Sequence, residues 1–304
     1  NGYYDHNAGA GTYSGSGTFS LCDDPKDLHS GANLISFYAL PENNSISNVM
    51  SSIEGVATGV IGEGVASSYI EDNGWIGSLS NISPTSGYWV IVDESCELSL
   101  CDAVLTPPVT EYNLHTGANL ISFLSFGNID IGEAIPDDVE DYITGIIGEG
   151  VATTNNGGEW IGSLSKFYGG KGYWVMTTED ISFSFELNTL QRKSSNNYTK
   201  ETLDGYEYNQ SSKQAFYFIE SVENIEVGDW LLSFNGDKII GSRQWQGYTT
   251  DLPTMGDDGN IYSEDYLQIG QIPQFKLLKD DILIDLEGDI PAFEDNGMFI
   301  VTNL

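Results

Sequence analysis

Short apolar runs broken by Gly, Asn and Ser recur along most of this chain, and they predict strands rather than long helices. Residues 34–39 and 120–126 are apolar, β-branched or aromatic and each follows a Gly turn, so they are expected to be buried strands. Residues 45–53 and 135–143 have the spacing of one short helix each. Pro136, followed by Asp137 and Asp138, suits a first helical turn. Residues 59–66 and 145–152 read as strands interrupted by glycines, which mark bends or close backbone packing. Hairpins through Asn73-Gly74 and Asn156-Gly157-Gly158 should lead into the next strands. Ile181, Phe183, Phe185 and Leu187 then alternate with Ser182, Ser184 and Glu186, one face apolar and one polar.

These runs are two copies of one unit. Leu28-His29-Ser30-Gly31-Ala32-Asn33-Leu34-Ile35-Ser36-Phe37 returns as Leu114-His115-Thr116-Gly117-Ala118-Asn119-Leu120-Ile121-Ser122-Phe123. Ile61-Gly62-Glu63-Gly64-Val65-Ala66 returns as Ile147-Gly148-Glu149-Gly150-Val151-Ala152, and Gly87-Tyr88-Trp89-Val90 as Gly172-Tyr173-Trp174-Val175. The expected organisation is an N-terminal arm and lead-in strand (1–27), repeat 1 (28–102), repeat 2 (103–187), a Ser/Asn/Lys linker (188–204) and a C-terminal module (205–304). The fold class is mainly β: two homologous β-rich repeats, each with one short helix, and then a compact antiparallel β-sandwich. In the C-terminal module, strands are expected at 215–219, 230–234, 238–241, 275–278, 282–286 and 299–301, with a hairpin at Asn235-Gly236-Asp237.

Composition narrows the partners. The 304 residues hold 45 Asp+Glu against 11 Lys+Arg, a formal charge of −34, which repels nucleic acid and anionic lipid. No apolar run approaches the length needed to span a bilayer as a helix, so membrane insertion is not expected. The chain begins without Met or an apolar leader, which reads as a mature product. Cys96 and Cys101 flank an alternating segment whose five extended steps span roughly 16 Å, against a limit of about 7 Å between bridged Cα atoms. Any bridge should therefore include Cys22, and one bridge fits an extracellular setting.

The repeated motifs resemble tandem modules of secreted, multidomain surface proteins of marine bacteria, cargo of a type IX-like secretion route. The resemblance covers residues 28–92 and 114–176, with Ala32 and Ala118 where those modules usually carry Trp. Residues 205–302 resemble a companion module near the carboxyl end of such proteins. The match lies in Gln214-Ala215-Phe216-Tyr217-Phe218, Gly228-Asp229-Trp230, Gly241-Ser242-Arg243-Gln244-Trp245 and Met255-Gly256-Asp257-Asp258-Gly259. The resemblance implies an extracellular or cell-surface location and no particular activity.

Few residues suggest chemistry. The duplicated His29 and His115 read as structural hydrogen-bonders, and no His-Glu-x-x-His, phosphate loop or nucleophile elbow occurs, so an enzyme is not expected. Glu63 and Glu149 should accept backbone N–H bonds at a bend or pair with the repeat's histidine, the alternative being a ligand contact. Asp257, Asp258, Asn260 and Asp265 collect hard oxygens in one loop, and calcium is the cofactor such a loop would take. The four repeated tryptophans, Trp75, Trp89, Trp160 and Trp174, should be core. Trp245 and Tyr248 flank a polar stretch and would suit stacking on a sugar face. Phe19, Leu21 and Cys22 lie on a lead-in strand that resembles the last strand of a missing repeat. That strand should pair with repeat 1 of its own chain; added instead to a sheet edge of another copy, it would build filaments. The expected function is thus a structural or adhesive surface protein whose partners are copies of itself, other surface proteins or polysaccharide. The alternative is a glycan-binding accessory part of a secreted hydrolase.

Overall fold

The computed structural model of the protein describes residues 25–188 and 203–304. The arm, most of the linker, and the proposed assembly residues Phe19, Leu21 and Cys22 lie outside the described residues. The chain is mainly β. Repeat 1 is built on a five-stranded antiparallel sheet in the order Gly31–Ser36, Gly87–Val92, Ala57–Gly62, Val65–Ile70, Gly74–Gly77. Repeat 2 lays out Gly117–Ser122, Gly172–Thr177, Ile143–Ile147, Ala152–Asn156, Glu159–Gly162 in the same order. The registers agree as well. Leu34 and Ile61 both face Trp89, Leu120 and Ile147 both face Trp174, and each sheet shifts register once, between Ala57 and Gly59 or between Ile143 and Gly145.

One face of each sheet packs on its own repeat. In repeat 1, Ile35, Phe37, Val60, Tyr88 and Val90 close over the short helix and the strand Cys96–Leu98. In repeat 2, Ile121, Phe123, Ile146, Tyr173 and Val175 do the same with Phe167, Phe183 and Phe185. Gly31–Ser36 and Gly87–Val92 are buried at every position, so their opposite face is covered too. A sheet covered on both faces has no polar stripe to keep, which is why these runs read as continuous apolar stretches.

Several local expectations need correction. The Gly-Glu-Gly segments are not strand interiors. Gly62 pairs with Val65, so Glu63 and Gly64 form a two-residue turn, with Gly64 at φ 66°. Glu149 and Gly150 occupy the same place in repeat 2, with Gly150 at φ 67°. The turn thus lifts each glutamate to the tip of a hairpin. Repeat 1 has the expected helical region, as an α-turn Ile46–Val49 and a 3-10 turn Ser51–Ile53. Repeat 2 has two short helices, Ile131–Ala134 and Asp137–Glu140, and Ile143 already begins a strand. Pro136 separates them: it stands before the second helix at φ −63°, and its missing N–H cannot continue the first.

The repeat boundary also shifts. Ala103 is fully buried in the core of repeat 1, and Val104–Leu105 pairs with Ala39–Leu40. Lys26–Leu28, whose first two residues the sequence placed before repeat 1, pairs with Cys96–Leu98.

The C-terminal domain is a two-sheet sandwich. One sheet runs Thr250–Met255, Gln214–Ile219, Met298–Val301, and the other Lys238–Gln244, Trp230–Asn235, Gln274–Lys279, Ile282–Leu286. It is not wholly antiparallel, because Gln214–Ile219 and Met298–Val301 pair in parallel. The strand Thr250–Met255 escaped the sequence reading because Pro253 interrupts it. It lies at a sheet edge, where a proline leaves no ladder bond broken.

Candidate functional site

The distinctive residues of the repeats meet at the joint between them. Each hairpin glutamate reaches across to the other repeat. Glu149 accepts His29 Nε2 at 2.8 Å and the Leu34 N–H at 2.9 Å. Glu63 accepts His115 Nε2 at 2.6 Å and the Leu120 N–H at 2.8 Å. The contacts are reciprocal, residue for residue, as in an isologous dimer fused into one chain. The joint continues through Ser36, whose N–H donates to Gly170 O at 2.9 Å and whose hydroxyl donates to Lys171 O at 2.6 Å. Ser122 mirrors it, donating to Thr85 O at 3.1 Å and Pro84 O at 2.6 Å.

Each histidine is held in place by its own turn. Asn33 accepts the His29 N–H at 2.9 Å and donates to the His29 carbonyl at 2.8 Å, closing the turn around Gly31. Asn119 does the same for His115. The His29 ring then sits between two acceptors, Ser30 O on Nδ1 and Glu149 on Nε2, both at 2.8 Å. His115 sits likewise between Thr116 O and Glu63. Only an imidazolium donates from both nitrogens, so the geometry selects the charged ring. Burial draws His29 down, but the hydrogen bond and charge of Glu149 and the Ser30 carbonyl outweigh it, leaving it above the ordinary value; Lys171 opposes. The Thr116 carbonyl and Glu63 raise His115, and Asp180 adds its charge. Burial alone would raise Glu149, yet Lys171, His29 and the Leu34 N–H hold it at about 2.

The backbones touch where Gly87 meets Gly172. A Cβ on Gly87 would lie 2.8 Å from Ile121 O, and one on Gly172 would lie 2.8 Å from Ile35 O. Gly87→Val is therefore expected to push the repeats apart, at a cost of about 1–3 kcal/mol typical of overpacking. A chemical denaturation midpoint equal to wild type would show that the joint can yield there without loss.

A second joint fixes the C-terminal domain onto the outer face of repeat 2. Ile147 and Ala152 pack against Phe216 and Phe218, with Trp174, Met176 and Met298 around them. Arg243, 6 % exposed, donates to Gly150 O at 2.8 Å and pairs with Asp251 at 3.3 Å. Asp251 accepts the Ser163 N–H at 2.9 Å, its hydroxyl at 2.5 Å and the Ala152 N–H at 3.3 Å. Gln214 accepts the Gly150 N–H at 3.2 Å and donates to Gly148 O at 2.9 Å. Burial pushes Asp251 up, against the pull of Arg243 and Ser163. Tyr262 of the same domain packs on the repeat 1 cluster of Ala32, Leu34, Trp89 and Ile91, so all three modules touch.

The other sequence candidates fall elsewhere. Trp245 is 6 % exposed in the C-terminal core, while Tyr248 is 61 % exposed, so the expected stacking pair does not form. Trp245 continues the strand Lys238–Gln244 and its backbone pairs with Gly228 and Asp229, which turns its ring inward. Trp89 is buried in the joint. Trp75, Trp160 and Trp174 are partly buried against the cores. Asp258 is the hub of its loop and accepts from Ser212, Asn260, Tyr262 and Ser263. Asp257 accepts from Gly259 and Gln268, and Asp265 is exposed, its carbonyl taken by Asn235. Among the described residues no group of three or more His, Cys, Asp or Glu is placed to hold a metal ion. The donors of this chain already fill the Asp258 carboxylate, so the melting temperature is expected to be the same in a chelator and in millimolar calcium. A calcium-dependent rise would instead support the calcium site that the sequence suggested. Cys101 is disulfide-bonded and Cys96 is free, and the partner of Cys101 lies outside the described residues.

The sequence reading missed Ser36, Ser122, Gln214, Arg243 and Asp251. Only the serines carried a signal, a polar residue between Ile and Phe in an apolar run that occurs twice; Gln214 begins its strand, and Arg243 and Asp251 have polar neighbours.

No family model and no curated protein matches this chain. Among solved structures, the Bacillus anthracis TIE protein is similar at 11 % identity and a TM-score of 0.19. The alignment covers 91 % of this chain and 50 % of that one, so the chain spans about half the length of that protein. A likeness this slight carries no argument about fold or function.

Proposed function

We propose that the chain is a structural and adhesive part of an extracellular or cell-surface assembly, of the kind its motifs resemble in secreted marine-bacterial surface proteins. One observation supports this above the rest. The residues that make the repeats recognisable, His29, Glu63, His115 and Glu149, are used to lock module to module, not to line a cleft. A joint of that kind suits a protein that transmits load or holds modules at a fixed spacing. The disulfide at Cys101 fits an oxidising compartment. The charge of −34 keeps such a chain soluble in salt water and keeps nucleic acid away. Calcium and polysaccharide are not needed for this role.

The test is made on the source organism. Antibody raised against the full chain should label intact cells, and a deletion strain should attach less to surfaces. Label that enters only after lysis, with attachment unchanged, would sink the reading.

A further inference from the structure

Repeat 1 carries a copy of the socket that holds the C-terminal domain on repeat 2, and none of the described residues fills it. The groups that grip Gln214, Arg243 and Asp251 are Gly148 O, Gly150 N and O, Ala152 N, and the N–H and hydroxyl of Ser163. Their counterparts in repeat 1 are Gly62, Gly64, Ala66 and Ser78, identical in residue type and set on a hairpin of the same register. The Gly64 turn has the same left-handed φ as Gly150. In repeat 2 the socket is closed, with Val151 at 2 % and Ala152 at 0 % exposure. In repeat 1 it is open: Val65 is 37 % exposed and Ala66 is exposed with it, while Ser78 and Ser163 are exposed alike in the two repeats. The open face also adjoins an interface already made, because Tyr262 of the chain's own C-terminal domain covers the neighbouring Ala32 and Ile91.

We propose that the repeat 1 hairpin is a second docking site, and that its occupant is the C-terminal domain of another copy of this chain. Hydrogen-bond complementarity names the occupant. The N–H groups of Ala66 and Ser78 and the Ser78 hydroxyl suit a carboxylate, and the carbonyls of Gly62 and Gly64 suit an amide and a guanidinium. The C-terminal domain presents that set as Asp251, Gln214 and Arg243, beside Phe216 and Phe218. Each chain has one such domain and two sockets, so occupying repeat 1 of a neighbour means leaving repeat 2 at home. The exchange makes head-to-tail contacts, and contacts of that type run on into chains unless they close into a ring. Tethering favours the home socket in dilute solution.

Blocking the home socket frees the domain for the second one. Ala152→Asp places a carboxylate against Asp251 and Phe216 and should release the domain from repeat 2. In the full chain this variant is expected to at least double its mass by light scattering as concentration rises. Adding Ala66→Asp, a change at an exposed position, should return it to the monomer mass. Ala66→Asp alone should leave the wild-type mass and melt unchanged. Near-ultraviolet circular dichroism checks that each variant folds. If Ala152→Asp does not, Ser163→Asp replaces it, since its carboxylate would stand against Asp251, which the Ser163 hydroxyl now contacts. A folded variant that remains monomeric overturns the proposal, and so do oligomers that survive Ala66→Asp.

Discussion

Asp251→Ala is expected to cost about 3–5 kcal/mol, the range for removing one member of a buried ion pair. The side chains of Arg243 and Asp251 are 7 % and 3 % exposed, so the guanidinium would be left without its counter-charge and out of reach of water. Three donors on repeat 2, the N–H groups of Ala152 and Ser163 and the Ser163 hydroxyl, would lose their acceptor together. Asp285→Ala is the control. Its carboxylate pairs with Lys276 at 2.7 Å but is 80 % exposed, and an exposed pair contributes only about 0–1 kcal/mol. Chemical unfolding followed by tryptophan fluorescence separates the two. Equal losses for Asp251→Ala and Asp285→Ala would mean that the second joint does not hold the modules together.

The two glutamate clamps should differ in strength although their partners are the same. The Glu149 side chain is 12 % exposed and has Lys171 at 3.7 Å as a further partner, whereas Glu63 is 38 % exposed. Glu149→Ala is expected to cost about 2–3 kcal/mol, because a poorly hydrated Leu34 N–H loses its acceptor. Glu63→Ala should cost about 1 kcal/mol or less, as for a solvent-screened pair. Reversal of that order would contradict the burial argument.

The same clamps set a pH dependence. His29 and His115 stand above the ordinary 6.5, so their contribution is complete below 6.5 and is lost as pH rises through their raised values. Glu149 is lowered from 4.5 to about 2, so its contribution is complete above 4.5 and fades as pH falls towards 2. Stability from the joint should therefore be greatest between pH 4.5 and 6.5. The charged neighbours are Glu149 and Lys171 around His29, and Glu63 and Asp180 around His115. A Glu63→Ala/Glu149→Ala double variant should lose most of the fall above pH 6.5. Parallel profiles for it and the wild type would place the titration elsewhere.

Strand existence was legible where one physical signal dominated. Residues 215–219 and 282–286 combine β-branched or aromatic side chains with flanking turns, and both strands form where expected. Where two signals competed, the local one misled. Pro253 hid a strand because the sequence does not tell an edge from a centre. Pro136 marked the start of the helix Asp137–Glu140 as expected, but the extra turn Ile131–Ala134 ahead of it carried no signal that was read, and the helix ends before Ile143. Trp245 looked exposed because its neighbours Gln244 and Gln246 are polar, but alternation along a strand buries every second side chain whatever lies between.

The sequence by itself determined that one unit occurs twice, since identical runs of apolar and turn residues fold to the same sheet with the same register. It favoured a structural role for the duplicated His29 and His115 beside their Gly turns, and for Glu63 and Glu149 it left a hydrogen-bonding role and a ligand contact both open. Only the tertiary structure decided which partner. Within one repeat the glutamate stands at a hairpin tip, and it meets a histidine when the second repeat is laid against the first. The tertiary structure alone also distinguished the two hairpins. Their residues match, yet one is buried under Phe216, Arg243 and Asp251 and the other is open. Local sequence fixes a strand and a turn through backbone sterics and alternation, whereas the burial of that turn depends on contacts between residues about a hundred positions apart. Identical segments therefore hold identical shapes and different neighbours.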